Sequence, residues 1–194
     1  VLVIYNYFTE DIKNKILNNK NKIKINENAE LHVIEYTINE SQSKFINNVY
    51  ENIILEKNSK FKNVFIQNNS SDGFFYKFLK NKLSLNSDYT NLIFSSGLKF
   101  NKLDIECDLI GENCRCNILS ALFLKKNEHQ EIKTLVNHLA PNCKSNQKVK
   151  NVLNSESKGV FQGKIYVKDV AQKTDAYQLS KALLLNDNAE FNSK

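Results

Sequence analysis

The feature that most limits what this chain can fold into is a repeat led by asparagine. Four segments share the order Asn, small, charged, apolar, two unrestricted positions, apolar: Asn28-Ala29-Glu30-Leu31 to Ile34, Asn58-Ser59-Lys60-Phe61 to Val64, Asn86-Ser87-Asp88-Tyr89 to Leu92, and Asn113-Cys114-Arg115-Cys116 to Leu119. Their leading asparagines are 30, 28 and 27 positions apart. A fifth start is expected at Asn188-Ala189-Glu190-Phe191, whose seventh position falls on Lys194. Asparagine tolerates the left-handed backbone region and bonds its own backbone two residues on, so it suits a corner that the chain must turn once per unit. Because the chain holds 30 asparagines, a shared Asn alone means little; the small, charged and apolar positions behind it carry the pattern. Such a unit is one turn, or a paired turn, of a solenoid.

The local periodicity agrees. Apolar and polar residues alternate through Asn101 to Leu109 and again through Gly163 to Lys168, the two-residue period of a half-buried strand. Ile53-Ile54-Leu55 and Val64-Phe65-Ile66 are runs of the branched and aromatic residues that strands favour. Helical signals are confined to short stretches near Asp11 to Asn19 and Ala176 to Leu185, and the second reads equally as a turn leading into a buried strand. An antiparallel sandwich needs many tight Asn-Gly or Asp-Gly hairpins, yet Asp72-Gly73 is the one such dipeptide in a chain with 5 glycines and 1 proline. Parallel stacking with Asn-led corners fits better. The reading is an all-β fold, one solenoid domain over residues 1–194, in which Leu31, Phe61, Tyr89 and Cys116 face inward and stack on one another. Its end coils need a cover, since an open coil presents unpaired strand edges.

The net charge of +6 raises nucleic acid or an anionic membrane as partners, but the composition points away from both. Arg115 is the single arginine beside 26 lysines, a bias expected of AT-rich coding sequence, and the lysines are interleaved with acidic residues instead of forming a stripe. Arginine is the residue that phosphate and base-edge recognition prefers. No apolar run approaches the roughly 18 residues of a spanning helix, and Val1 to Tyr5 is too short for a signal sequence. Four irregularly spaced cysteines, Cys107, Cys114, Cys116 and Cys143, read as reduced thiols in a cytoplasmic protein. Both ends read as those of a fragment.

The C-terminal third carries the most specific signal. Asn137-His138-Leu139-Ala140-Pro141-Asn142-Cys143-Lys144-Ser145 is followed by Gly159-Val160-Phe161-Gln162-Gly163-Lys164-Ile165, and then by Ala171-Gln172-Lys173-Thr174-Asp175-Ala176-Tyr177-Gln178 with Leu183-Leu184-Leu185-Asn186 and Ala189 behind. From about Val136 to Lys194 this resembles the core of the SufB/SufD family of iron–sulfur cluster assembly proteins. The resemblance implies a right-handed parallel β-helix, flanked in a full-length protein by helical domains. It also implies a scaffold subunit that pairs with a SufB-like chain and a SufC-like ATPase, with an iron–sulfur cluster passing transiently through the whole complex and none bound by this segment. SufB-type sequences carry a cysteine that aligns with Ser180 in Tyr177-Gln178-Leu179-Ser180-Lys181. A serine hydroxyl is a far poorer iron ligand than a thiolate, so the chain resembles the SufD type. The histidine that SufD-like proteins are thought to contribute belongs to a stretch that would follow Lys194, so the resemblance brings no catalytic, cofactor-binding or metal-ligating residue onto these positions.

The residues themselves offer two candidate ligand sets. Cys114 and Cys116 flank Arg115 on an expected strand and so share a face, which suits either a metal or, more simply, the packing of two small apolar groups. His138 and Cys143 lie five positions apart across Pro141 and suit either ligation or the packing of a corner. His32 and His129 sit in alternating or polar surroundings and read as exposed. The chain has no Gly-rich phosphate loop, nucleophile elbow or His-Glu-x-x-His segment, and it reads as a non-enzyme. The alternative is a stand-alone solenoid, either a carbohydrate-active enzyme, which would need clustered carboxylates or a calcium site along one face, or an adhesin-like binding module.

Overall fold

Left-handed asparagines make the same corner in five successive coils, and Lys173, at φ 57°, makes it in the next. In the computed structural model, which describes residues 1–40, 43–69, 71–125 and 127–194, Asn28, Asn58, Asn86, Asn113 and Asn142 have φ between 56° and 59°. The first four are the repeat leaders. Their side chains form a ladder up the corner, with the Asn58 amide donating to Asn28 at 2.8 Å, Asn86 to Asn58 at 2.9 Å and Asn113 to Asn86 at 3.0 Å. The small residue behind each asparagine turns inward. Ser59 and Ser87 donate to the carbonyls three positions back, Glu56 and Ser84, at 2.6 Å each, and Cys114 does the same to Gly111 at 3.1 Å. This explains the repeat's first two positions: one supplies the φ, the other fills the elbow and satisfies a buried carbonyl.

Between corners the chain runs in strands of near-constant length. They are β1 (Leu2–Phe8), β2 (Ile16–Ile25), β3 (Glu30–Asn39), β4 (Ile46–Leu55), β5 (Lys60–Asn69), β6 (Phe74–Leu83), β7 (Asp88–Gly97), β8 (Phe100–Leu109), β9 (Arg115–Leu124), β10 (His129–His138), β11 (Lys144–Leu153), β12 (Lys158–Val167), β13 (Asp175–Leu184) and β14 (Glu190–Ser193). Odd-numbered strands form one seven-stranded sheet and even-numbered strands a second, with each strand pairing in parallel to the strand two places on. The fold is therefore a parallel β-solenoid of about six turns, with one strand of each sheet per turn. Leu31, Phe61, Tyr89 and Cys116 stand in one register column and face inward, as expected from sequence.

The core is a set of such columns. One of them reads Ile25, Leu55, Leu83, Leu109, His138 and Val167 through the even sheet, and its first four members are 4% exposed or less. Close approach at the corner demands Gly111, where a Cβ would lie 2.1 Å from the backbone nitrogen of Leu85.

Three expectations change. The stretch from Asp11 contains a single 3-10 turn at Glu10–Ile12 and then enters β2; the stretch from Ala176 lies in β13, because ladder bonding to β11 overrides a weak helical spacing. The fifth repeat is led by Asn142, not Asn188. Asn188 turns the opposite corner, between β13 and β14, so it is out of step with the others, while Asn142 escaped the pattern because Ser145 stands where an apolar residue was required.

Candidate functional site

All four cysteines are buried and free. Their placement follows from the coil geometry. Cys114 precedes β9 and Cys143 precedes β11, so both occupy the small elbow position on consecutive coils. The Cys114 thiol lies 3.0 Å from the Ser84 carbonyl and 3.1 Å from that of Gly111, and the Cys143 thiol lies 3.2 Å from the same Gly111 oxygen. A hydrogen bond from Cys143 lowers the pKa of Cys114 to about 7, against a smaller upward push from burial. The same contact, with burial, raises that of Cys143. Cys116 belongs to a different pair. It faces Cys107 of β8 across the core, and that contact, followed by burial, holds its thiol well above the usual range. The Asn81 amide also donates to Cys107, at 3.2 Å. Cys114 and Cys116 thus share the inward face, as their spacing required, but the structure gives each a different thiol partner. Two separated pairs of buried thiols serve packing well and a four-ligand cluster poorly.

His138 and Cys143 are not brought together as a ligand pair. His138 is fully buried in the apolar column of the even sheet, and its Nε2 meets the Ser145 hydroxyl at 2.9 Å. Burial lowers its pKa, so the ring is held neutral. His32 is exposed as expected and bonds Glu30 at 2.8 Å. His129 is half-buried, bonded to Glu131 at 2.9 Å and packed on the Phe100 ring. Among the described residues, no three His, Cys, Asp or Glu side chains converge as a metal site.

The C-terminal coil is different in kind. In β13 the inward register holds Gln178 and Ser180, the latter paired with Val149 of β11 and half-buried. Gly163 of the Phe161-Gln162-Gly163 motif is what admits Gln178, since a Cβ there would lie 2.4 Å from its amide. Among the described strands β13 is the edge of the odd sheet, and the chain leaving it exposes Leu183, Leu184 and Leu185 by about half their surface.

One cluster escaped the sequence analysis. Lys77, 1% exposed, lies between Glu35 at 2.8 Å and Glu51 at 3.3 Å, with Asn6 donating to the other Glu35 oxygen at 3.0 Å. Burial alone would depress the lysine's pKa, but the two carboxylates more than offset it and raise the value. The signal was present in the alternation: Phe75, Lys77 and Leu79 share one face, so a lysine sits in the apolar register. Beside the triad, a cavity of about 340 Å³ opens at the N-terminal coil, lined by Asn6, Asn19, Asn47, Glu35 and Thr37.

The model of the SufBD core domain, described as SUF system FeS cluster assembly, matches residues 7–194. The chain is similar to the iron–sulfur cluster assembly SufBD family protein slr0076 of Synechocystis sp., 24% identical over 153 residues, which are 79% of this chain and 34% of that protein. It is also similar to the chloroplastic protein ABCI7 of Arabidopsis thaliana, 25% identical over 175 residues, which are 88% of this chain and 36% of that one. The chain spans about a third of the length of these curated relatives.

Proposed function

This chain belongs to the SufBD core family of the SUF system of iron–sulfur cluster assembly, and we propose that within that system it acts as a non-enzymatic, SufD-like scaffold. In this reading it pairs with a SufB-type β-helix and serves a complex driven by a SufC-type ATPase, in a reducing, cytoplasmic setting where its four thiols stay free. The nascent cluster is cargo of the assembled complex. Ser180 carries the proposal. It occupies the inward register of β13, where the SufB-type sequence has its cysteine, and a hydroxyl binds iron far more weakly than a thiolate. The exposed Leu183 to Leu185 supply one side of an interface, because a contiguous apolar patch marks a contact surface.

Two measurements test this. Pull-downs with full-length protein should retain SufB- and SufC-type partners at low and moderate salt, and charge substitutions at Leu183 to Leu185 should weaken the first; retention of neither partner refutes the scaffold. Anaerobic reconstitution of the chain with iron and sulfide should give no stoichiometric visible chromophore. A chromophore that disappears in the Cys114→Ala, Cys116→Ala double variant would overturn the packing assignment of those thiols.

A further inference from the structure

The outer faces of the two sheets differ in their middle columns. On the even sheet the column Lys22, Asn52, Lys80 and Glu106 is charged or amide-bearing, and apolar residues gather at the strand starts in Ile16, Ile46, Phe74 and Phe100. On the odd sheet, the outward column Ile34, Val64, Leu92 and Leu119 is aliphatic, and the next one reads Tyr36, Ile66 and Phe94. Phe94 is 47% exposed and Phe123, one column further, is 40% exposed. Parallel sheets are normally covered on both faces, and a contiguous apolar patch of this kind marks a contact surface.

The same columns change character at β11. Leu119 is followed by Lys148 and then Leu179, and Phe94 by Ala121, Lys150 and Lys181. Beside them runs a furrow of about 650 Å³ with Arg115, Lys144 and Lys148 on its walls and Asn117 and Asn146 on its floor. Its acidic members are Asp88 and Asp175, and Lys144 pairs with Asp175 at 3.5 Å. Arg115 makes no ion pair among the described residues, and Lys148 rests over the Tyr177 ring at 5.8 Å. Along these columns the face is apolar over β3 to β9 and carries Lys148, Lys150 and Lys181 over β11 and β13.

We infer that this outer face docks an amphipathic helix of a protein partner, apolar along its first half and acidic on the same side of its second half, lying along the solenoid axis. The spacing favours a helix. Successive coils repeat at about 4.8 Å, close to the roughly 5–6 Å between side chains three or four apart on a helix, so one helical residue meets each coil. The apolar columns over β3, β5, β7 and β9 span about 14 Å, or roughly ten helical residues. The Asp or Glu residues of the next two turns then meet Lys148, Lys150 and Lys181. The inference stands whether or not the chain pairs with a SufB-type subunit through its C-terminal coil.

Fluorescence anisotropy tests it with a labelled, helix-forming peptide of about twenty residues, Leu-faced in its first half and Glu-faced in its second. This peptide should bind the chain at least about tenfold more tightly than the same peptide with Lys for Glu. Phe94→Ser should weaken it by about tenfold. The exposed Lys148→Glu, Lys150→Glu double variant, which leaves the core untouched, should reverse the preference between the two peptides. Equal binding of both peptides, or a preference that survives the charge reversal, overturns the proposal. So does a chain dimer in sedimentation that Phe94→Ser dissolves and the acidic peptide does not displace, which assigns the face to a second copy. Flotation with phosphatidylserine vesicles, lost in Phe94→Ser and unaffected by excess acidic peptide, assigns it to a membrane and also overturns the helix.

Discussion

The N-terminal and C-terminal coils fill the same narrow interior with different chemistry. Toward the N-terminus the inward columns bring Glu35, Glu51 and Lys77 together, two carboxylates against one ammonium, so the triad carries a buried excess of negative charge. Toward the C-terminus the corresponding space holds neutral groups: Gln147, Asn151, Thr134, the Cys107–Cys116 pair, and His138 on Ser145. Of the three triad residues, Glu35 lines the cavity beside the first strands, together with Asn6, Asn47 and Thr37. Polar walls and solvent access reduce the cost of burying charge, which in a dry interior is several kcal/mol per ion. In the C-terminal coils the inward polar groups are neutral, and there an unmet amide costs about 1–3 kcal/mol, far less than an unpaired charge. The triad shows that stacked coils can hold charge inside where the charges are paired with one another and met by an amide such as Asn6.

The largest test of this contrast is Lys77→Ala, which strands two carboxylates. It should destabilise the chain by about 3–5 kcal/mol in urea unfolding. Lys77→Met combined with Glu35→Gln and Glu51→Gln should recover much of that loss. If the single variant costs no more than a neutral change in the C-terminal coils, the charge difference between the two halves has no energetic content.

The corner should behave alike in both halves. Asn58→Ala and Asn142→Ala each force alanine into a left-handed conformation at φ 57° and 59°, and each should cost about 1–2 kcal/mol, with glycine at either position recovering most of it. A marked inequality between the two would show that the ends differ in backbone strain as well as in side chains.

The smallest effect concerns pH. Burial lowers the His138 pKa relative to an ordinary 6.5, so the unfolded chain takes up a proton where the folded chain does not. Its contribution is therefore complete above pH 6.5 and declines as the pH falls below it, with a slope of at most about 1.4 kcal/mol per pH unit. His138→Leu should flatten that part of the stability curve. An unchanged slope would mean that the acid sensitivity comes from elsewhere.

How far the sequence reached depended on whether a feature was periodic. Four of the five left-handed asparagines at the corners between even and odd strands, the parallel stacking, and the column through Leu31, Phe61, Tyr89 and Cys116 were legible because a coil repeats and leaves its period in the chain. Asn142 was missed because its coil substitutes Ser145 for an apolar residue, and Asn188 was misplaced because it obeys the same local pattern on the wrong corner. The Glu35–Lys77–Glu51 triad joins residues 42 and 26 positions apart, from three strands of two sheets, and no local window holds all three.

The sequence by itself determined the coil: a left-handed residue at a fixed interval, a small residue to fill the elbow, and alternation between, each a local requirement of the backbone. It also fixed which residues face inward, since the pleat allows only two faces. Only the tertiary structure decided which inward residues meet. Cys114 and Cys116 share a face two positions apart, yet one sulfur reaches Cys143 on the next coil and the other reaches Cys107 across the core. Those pairings depend on the rise between coils and the gap between sheets, distances set by the packing of the whole stack and written in no single repeat.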